Sequence, residues 1–338
     1  MTLPFQKLPF LVIQNILHIM GFLDLFLLSC TSAKTKRIVK HAFTTRNHIL
    51  LVGVGEVLAL KIVSGYDENY GEQIFLCSEE ILAEKEFHVN IGTVDTVPSN
   101  YSEEQDDGTL ILLTYWSDPK IGFNVIHEAI FEVFGATVNE VSIDVAGVPA
   151  KIHQKEIEWI ENKLPTLPSF AISGRCSFQD YIWLMKNVRT KNVVFFAMEP
   201  TDYSENNEIV NLEMEDVTIS FGKWMKIHDI EAIKARNICL KDIFLTDNQI
   251  NVFLKNLGAF KEKSNMEKLI LTFYRQADPE IVFEGLNVIN EIQMKPEDSH
   301  NQWSFELANG EKCTVIYVEY DNDESDDSIF GFEIQIGN

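Results

Sequence analysis

The chain has 338 residues, with 28 Lys or Arg against 51 Asp or Glu and a formal net charge of −23 at pH 7. That length suits two domains or one extended one, and a hydrophobic content of 46% is that of a globular protein. So acidic a chain is poorly matched to nucleic acid or to an anionic membrane surface, since both are met by patches of Lys and Arg.

The first element is the most apolar. "LPFLVIQNILHIMGFLDLFLLSC" (residues 8–30) holds an uncharged run over residues 8–23 that already contains Gln14, Asn15 and His18. A membrane span needs about 20 apolar residues, so this run is too short and too polar. A secretion signal removed after residue 33 is the rival reading, with Lys7 as its basic start and "CTSAK" as its cleavage site. Against it, Val12, Ile13, Ile16, Leu17 and Met20 recur at helical spacing, an order that a signal does not need. The pattern predicts a helix with Pro9 in its first turn and Gly21 at its end. A second helix opens at Asp24, a polar break falls at Thr31–Ser32, and a basic helix follows. The first 50 residues carry Lys7, Lys34, Lys36, Arg37, Lys40 and Arg46 against Asp24 alone, so the acid lies in the remainder. Some 35 residues bury too little surface to be stable by themselves, and so many Leu, Ile and Phe side chains need a partner surface.

These residues resemble an F-box. Leu8-Pro9 opens the motif, Ile16-Leu17 stands one helix later, Asp24-Leu25 begins the next helix, and Leu28, Ser29 and the basic stretch follow. The resemblance covers residues 4–43 and is closest to the nematode expansion of F-box proteins. It implies binding to a Skp-family adaptor and through it to a cullin. It also implies an adaptor-facing set of Leu8, Pro9, Val12, Ile13, Ile16, Leu17, Leu25 and Leu28.

Further along, "ILLVGVGEVLAL" (49–60) reads as a buried strand or hairpin, and "QIFLC" (73–77) and "LILLTYW" (110–116) as strands. The acidic "VPSNYSEEQDDG" (97–108) reads as a mobile loop. "VIHEAIFEVFGA" reads as a helix ending at Gly135. Strand-like runs then begin at 140, 169, 192, 216, 237 and 267, that is 29, 23, 24, 21 and 30 residues apart. Between them stand the helical candidates "KEIEWIENKL", "SFQDYIWLMKNV", "KWMKIHDIEAIKA" and "TDNQINVFLKNLGAF", with Ser177 and Thr246 as caps. One strand and one helix every 20–31 residues or so is the period of a leucine-rich-repeat-like solenoid; a doubly wound sheet gives a similar alternation. "NICLKDIFLTDNQINVFLKNLGAF…MEKLILTF" (237–273) carries a resemblance, over residues 180–300 or so, to the type 2 F-box-associated domain, which implies target binding. "WSFELANGEKCTVIYVEY" (303–320) is a hairpin turning at Asn309-Gly310, and "IFGFEIQI" a third strand that caps the last repeat's edge.

The expected fold is therefore α/β: a three-helix F-box (1–45), a β-rich connection (46–124), and an irregular leucine-rich-repeat-like solenoid with a hairpin cap (125–338). No cofactor, metal or catalytic residue is marked. "GVGEVL" lacks the third Gly of a dinucleotide loop, "HEAIF" lacks the second His of a zinc protease, and "DNDESD" lacks the central Gly of a calcium loop. Five scattered Cys (30, 77, 176, 239 and 313) fit free thiols in a reducing compartment, so cytoplasm or nucleus is expected. Together these readings predict a non-catalytic substrate-recognition subunit of an SCF-type ubiquitin ligase that holds an unknown protein target. The alternative is a secreted or lumenal binding protein.

Overall fold

The computed structural model describes residues 8–42, 48–55, 57–64, 71–78, 87–103, 110–146, 150–164, 169–188, 192–202, 209–259, 265–293, 301–320 and 329–337. The chain divides into two compact units, Met1–Asp144 and Val145–Asn338.

The first unit opens with three helices: α1 (Phe10–Ile19), α2 (Phe22–Cys30) and α3 (Ala33–Ala42). Pro9 stands just before α1, and its carbonyl accepts the Val12 and Ile13 amides at 3.0 and 3.1 Å. Gly21 does not close α1 as a left-handed residue. It is extended (φ −65°) and precedes α2, where a Cβ would overlap the Glu72 carboxylate. Ser32 Oγ accepts the Thr35 amide at 3.1 Å and so starts α3. Strands β1 (His48–Val54), β2 (Leu58–Ser64), β3 (Gly71–Ser78), β4 (Phe87–Ile91), β5 (Val94–Glu103) and β6 (Leu110–Trp116) follow, then α4 (Pro119–Phe134) and β7 (Thr137–Asp144). They form one sheet in the order β7-β1-β2-β3-β6-β5-β4, parallel at β7-β1 and β3-β6.

Two expectations change here. Residues 97–103 are not loop but part of β5, paired with both β4 and β6; the inward Val97 and Ser99 are buried, and the pairing overrides a polar composition. Residues 104–108 of the expected loop lie outside the described residues. α4 and β7, expected with the repeats, belong to the first unit.

α4 begins at Asp118, whose side chain accepts the Lys120 amide at 2.9 Å, and ends at Gly135 with φ 67°. Its Gly122 is set by space: a Cβ would sit 2.6 Å from the buried Trp116 ring, which is held by Nε1–H donating to Thr114 Oγ1 at 2.9 Å. Gly122→Ala gains about 1 kcal/mol of helix propensity, yet overpacking costs roughly 1–3 kcal/mol. A net loss of up to about 2 kcal/mol in urea unfolding is expected; a more stable variant would contradict this packing.

The second unit comprises α5 (Ala150–Lys163), β8 (Ser169–Cys176), α6 (Phe178–Asn187), β9 (Val193–Pro200), β10 (Asp216–Ile219), α7 (Ile227–Glu231), β11 (Asn237–Leu240), α8 (Asp247–Gly258), β12 (Lys268–Phe273), α9 (Pro279–Val282), β13 (Asn290–Gln293), β14 (Asn301–Glu306), β15 (Lys312–Tyr320) and β16 (Ile329–Gly337). β8 to β12 are parallel neighbours in chain order. The register aligns Phe170, Val194, Val217, Ile238, Leu269, Ile334, Val315 and Trp303 in one buried row across eight strands. Ser177 and Thr246 cap α6 and α8 as their sequence implies.

The irregular solenoid expected from the spacing is not shown. No helix joins β9 to β10 among the described residues, and α7 shrinks to five residues of a thirteen-residue helical candidate. The sheet then turns antiparallel, with β16 pairing β12 as well as β15. The hairpin β14–β15 has a three-residue loop rather than a two-residue turn: Leu307 N–H donates to Glu311 O at 2.9 Å, and Gly310 takes φ 85°. No helix among the described residues is long and apolar enough to cross a membrane.

Candidate functional site

The three amino-terminal helices carry an inner and an outer apolar surface. The inner one joins Ile13 and Leu17 of α1, Leu25 of α2, Val39 and Ala42 of α3 and Val133 of α4; Leu8, Met20, Leu28, Ile38 and Phe134 pack against its edge. Leu17 and Leu25 are completely buried. α2 is covered nearly all round, with Phe22, Leu23, Leu25, Phe26 and Ser29 buried, and it lies against β3 and β4. Phe22 stacks obliquely on Phe134 at 4.5 Å between ring centres, and Lys36 pairs with Glu132.

The eight expected adaptor-facing residues divide between the two surfaces. Ile13, Leu17 and Leu25 are core residues of the chain itself, because the helical stripe they form is the one that packs inward. Pro9 and Val12 are exposed, and Leu8, Ile16 and Leu28 are half-buried. The outward side of α1 is instead made by Leu11 (70% exposed), Val12 (42%) and Ile19 (85%), with Phe10 (53%) at its start. Leu11 and Ile19 are eight residues apart, two turns of one helix face, with exposed Asn15 between them. Solitary exposed Leu or Ile side chains are ordinary, but several on one helix face, on the side away from the core, make an exposed apolar patch.

The position of α2 depends on a residue remote in sequence. Glu72 of β3 accepts the backbone amides of Leu23 and Phe22, so a carboxylate occupies the positive end of α2 that Gly21 cannot cap. Burial holds the Glu72 carboxyl above its usual range; the Leu23 amide opposes this, Asp24 adds to it and the Phe22 amide opposes it. A raised folded value means that the stability linked to Glu72 is fully present below the ordinary glutamate range and is lost as pH rises through the folded value. Glu72→Gln should therefore flatten the dependence of melting temperature on pH between mildly acidic and neutral conditions. An unchanged slope would show that the Glu72 charge is not buried at α2.

In the second unit the side of the sheet opposite the buried row is lined by Ala171, Phe195, Thr218, Cys239, Ile270, Glu333 and Ile316, aligned across seven strands. Phe195 is 37% exposed, and the others except Ala171, Cys239 and Thr218 carry long side chains. Lys268 pairs with Glu333 at 2.8 Å on this side. Reactive chemistry is not apparent in the thiols. Burial pushes Cys30 up to about 11, Cys176 up to about 11 with help from Asp180 and Asp202, and Cys313 up to about 12, so these three are neutral and weakly nucleophilic at pH 7. Among the described residues no group of three or more His, Cys, Asp or Glu is placed to hold a metal ion.

Comparison with curated proteins and with solved structures gives no match. One family model does match, over the same helices whose two apolar surfaces are described above: residues 5–43 are an F-box domain.

Proposed function

We propose that the chain is a non-catalytic substrate-recognition subunit of an SCF-type ubiquitin ligase. F-box domains in general bind Skp-family adaptors, and the observation that carries the reading here is an F-box whose first helix keeps Leu11, Val12 and Ile19 in solvent after its own core is complete. Leu8, Pro9, Ile16 and Leu28, exposed or half-buried, join the contact. The adaptor links the chain to a cullin. The ligase machinery brings the activated ubiquitin, so the chain contributes proximity alone.

The target is held by the second unit. Its parallel strands β8 to β12 present one continuous sheet, and the resemblance of this region to the type 2 F-box-associated domain of nematode F-box proteins supports the same role. The aligned row from Ala171 to Ile316 offers a broad surface with one position per strand. Residence in the cytoplasm or nucleus follows from the partners and from the unpaired thiols of the described residues.

Co-purification of the full chain with a Skp-family adaptor tests the reading. A stoichiometric complex is expected. A folded chain that forms none at micromolar concentration refutes it.

A further inference from the structure

α3 carries Lys34, Lys36, Arg37, Lys40 and His41 and no acidic residue. Its packed side is Thr35, Val39 and Ala42, which turns Lys34, Arg37, Lys40 and His41 outward, all exposed. Lys36 is taken by Glu132, whereas Lys34, Arg37 and Lys40 make no ion pair among the described residues. This happens in a chain of net charge −23, where residues 51–144 alone hold 18 acidic residues against Lys61, Lys85 and Lys120. Three cations over two turns of helix, without an ion pair to any described carboxylate of their own chain, retain their field for something outside it.

We infer that this α3 stripe receives an acidic surface of the Skp-family adaptor, steering it onto the apolar face of α1. The inference rests on the F-box reading above and adds the chemistry of the partner. The size of the stripe argues for a protein rather than a phosphate polymer or a bilayer. Two helical turns span roughly 10 Å, about one Debye length at physiological salt. A local acidic patch fits within that reach. A long polyanion or an anionic membrane extends past it and meets the acidic remainder of the first unit. The division of labour is also physical: exposed ion pairs contribute little affinity but raise association rates, while buried apolar anchors set dissociation.

Association and dissociation of the full chain with purified Skp-family adaptor, measured from low to physiological salt, test this. Wild-type association should slow steeply as salt rises. Lys34→Glu with Arg37→Glu and Lys40→Glu, all on the outward side of α3, should associate about tenfold more slowly or worse at low salt and lose the salt dependence, with dissociation little changed. Ile19→Ala should do the reverse, speeding dissociation and keeping the salt dependence. A complex that forms with salt-independent kinetics, or a triple variant that associates like wild type, overturns the inference while leaving the F-box reading intact. No complex with wild type overturns both. Binding of wild type, but not of the triple variant, to phosphatidylserine vesicles or duplex DNA, with adaptor association unaffected, assigns the stripe to another partner and also overturns it.

Discussion

Deleting residues 1–42 should unfold the first unit rather than release a freestanding body. Some 35 residues of helix bury too little surface to be stable by themselves, whatever surface they pack on. The contacts identify that surface. Val133 and Phe134 of α4 complete the core that Ile13, Leu17, Leu25, Val39 and Ala42 begin, and Leu23 and Phe26 of α2 are fully buried where α2 lies on β3 and β4. Without the helices those surfaces of α4 and the sheet face water. A milder variant gives a number. Leu17→Ala with Leu25→Ala truncates two completely buried side chains, each costing about 2–5 kcal/mol, against a total stability of roughly 5–15 kcal/mol for a domain. The double variant should lose most or all of the cooperative unfolding transition of the first unit in urea. A deletion protein that still unfolds cooperatively, with β1 to β6 protected from hydrogen exchange, would show that the helices fold apart from the sheet.

Local rules explain which parts of this arrangement were legible. Helix α4 was readable because its stop is local: Gly135 is left-handed and sits directly after the last apolar turn. α8 was readable for the same reason, since Thr246 and Gln249 cap each other's backbone three residues apart. The β4–β5 pair was not, because Asn90, Gly92, Thr93, Asp95 and Ser99 give it the composition of a loop; a turn at Gly92 with φ 59° and pairing to β6 make it a sheet edge. The cap of α2 left no signal at all in its neighbourhood, as Glu72 arrives from 49 residues away. In the second unit the alternation of strands and helices and its irregular spacing were readable, yet the shortening of α7 to five residues was not, because burial in the aligned core row, not length of helix, fixes each strand.

The candidate interface shows the same limit more sharply. Helical periodicity picked out Ile13 and Leu17 correctly as one face, but a periodic apolar stripe on a helix is first of all the side that packs on its own chain. A docking face on the same helix must then be written in residues that break the stripe. Leu11 and Ile19 do so: both are apolar, and both fall among the polar positions Gln14, Asn15 and His18.

That distinction sets the second large effect. Leu11→Asp with Ile19→Asp should abolish adaptor binding while leaving thermal unfolding almost unchanged. Both side chains are mostly in solvent, so the substitutions cost the free chain only a few tenths of a kcal/mol each in helix propensity. In the complex each removes an apolar anchor worth about 2 kcal/mol or more and leaves a carboxylate to be desolvated. Together they amount to about 4 kcal/mol, or roughly a thousandfold in Kd. Ile13→Ala provides the converse: it opens the inner core, so it should lower the melting temperature by several degrees, and adaptor affinity should fall only as far as the folded fraction does. The pair of measurements, adaptor affinity and melting temperature on each variant, separates the two surfaces of α1. If the double Asp variant binds normally, the outward face is not the docking face; if it melts far below wild type, that face is packed against the chain and is no open surface.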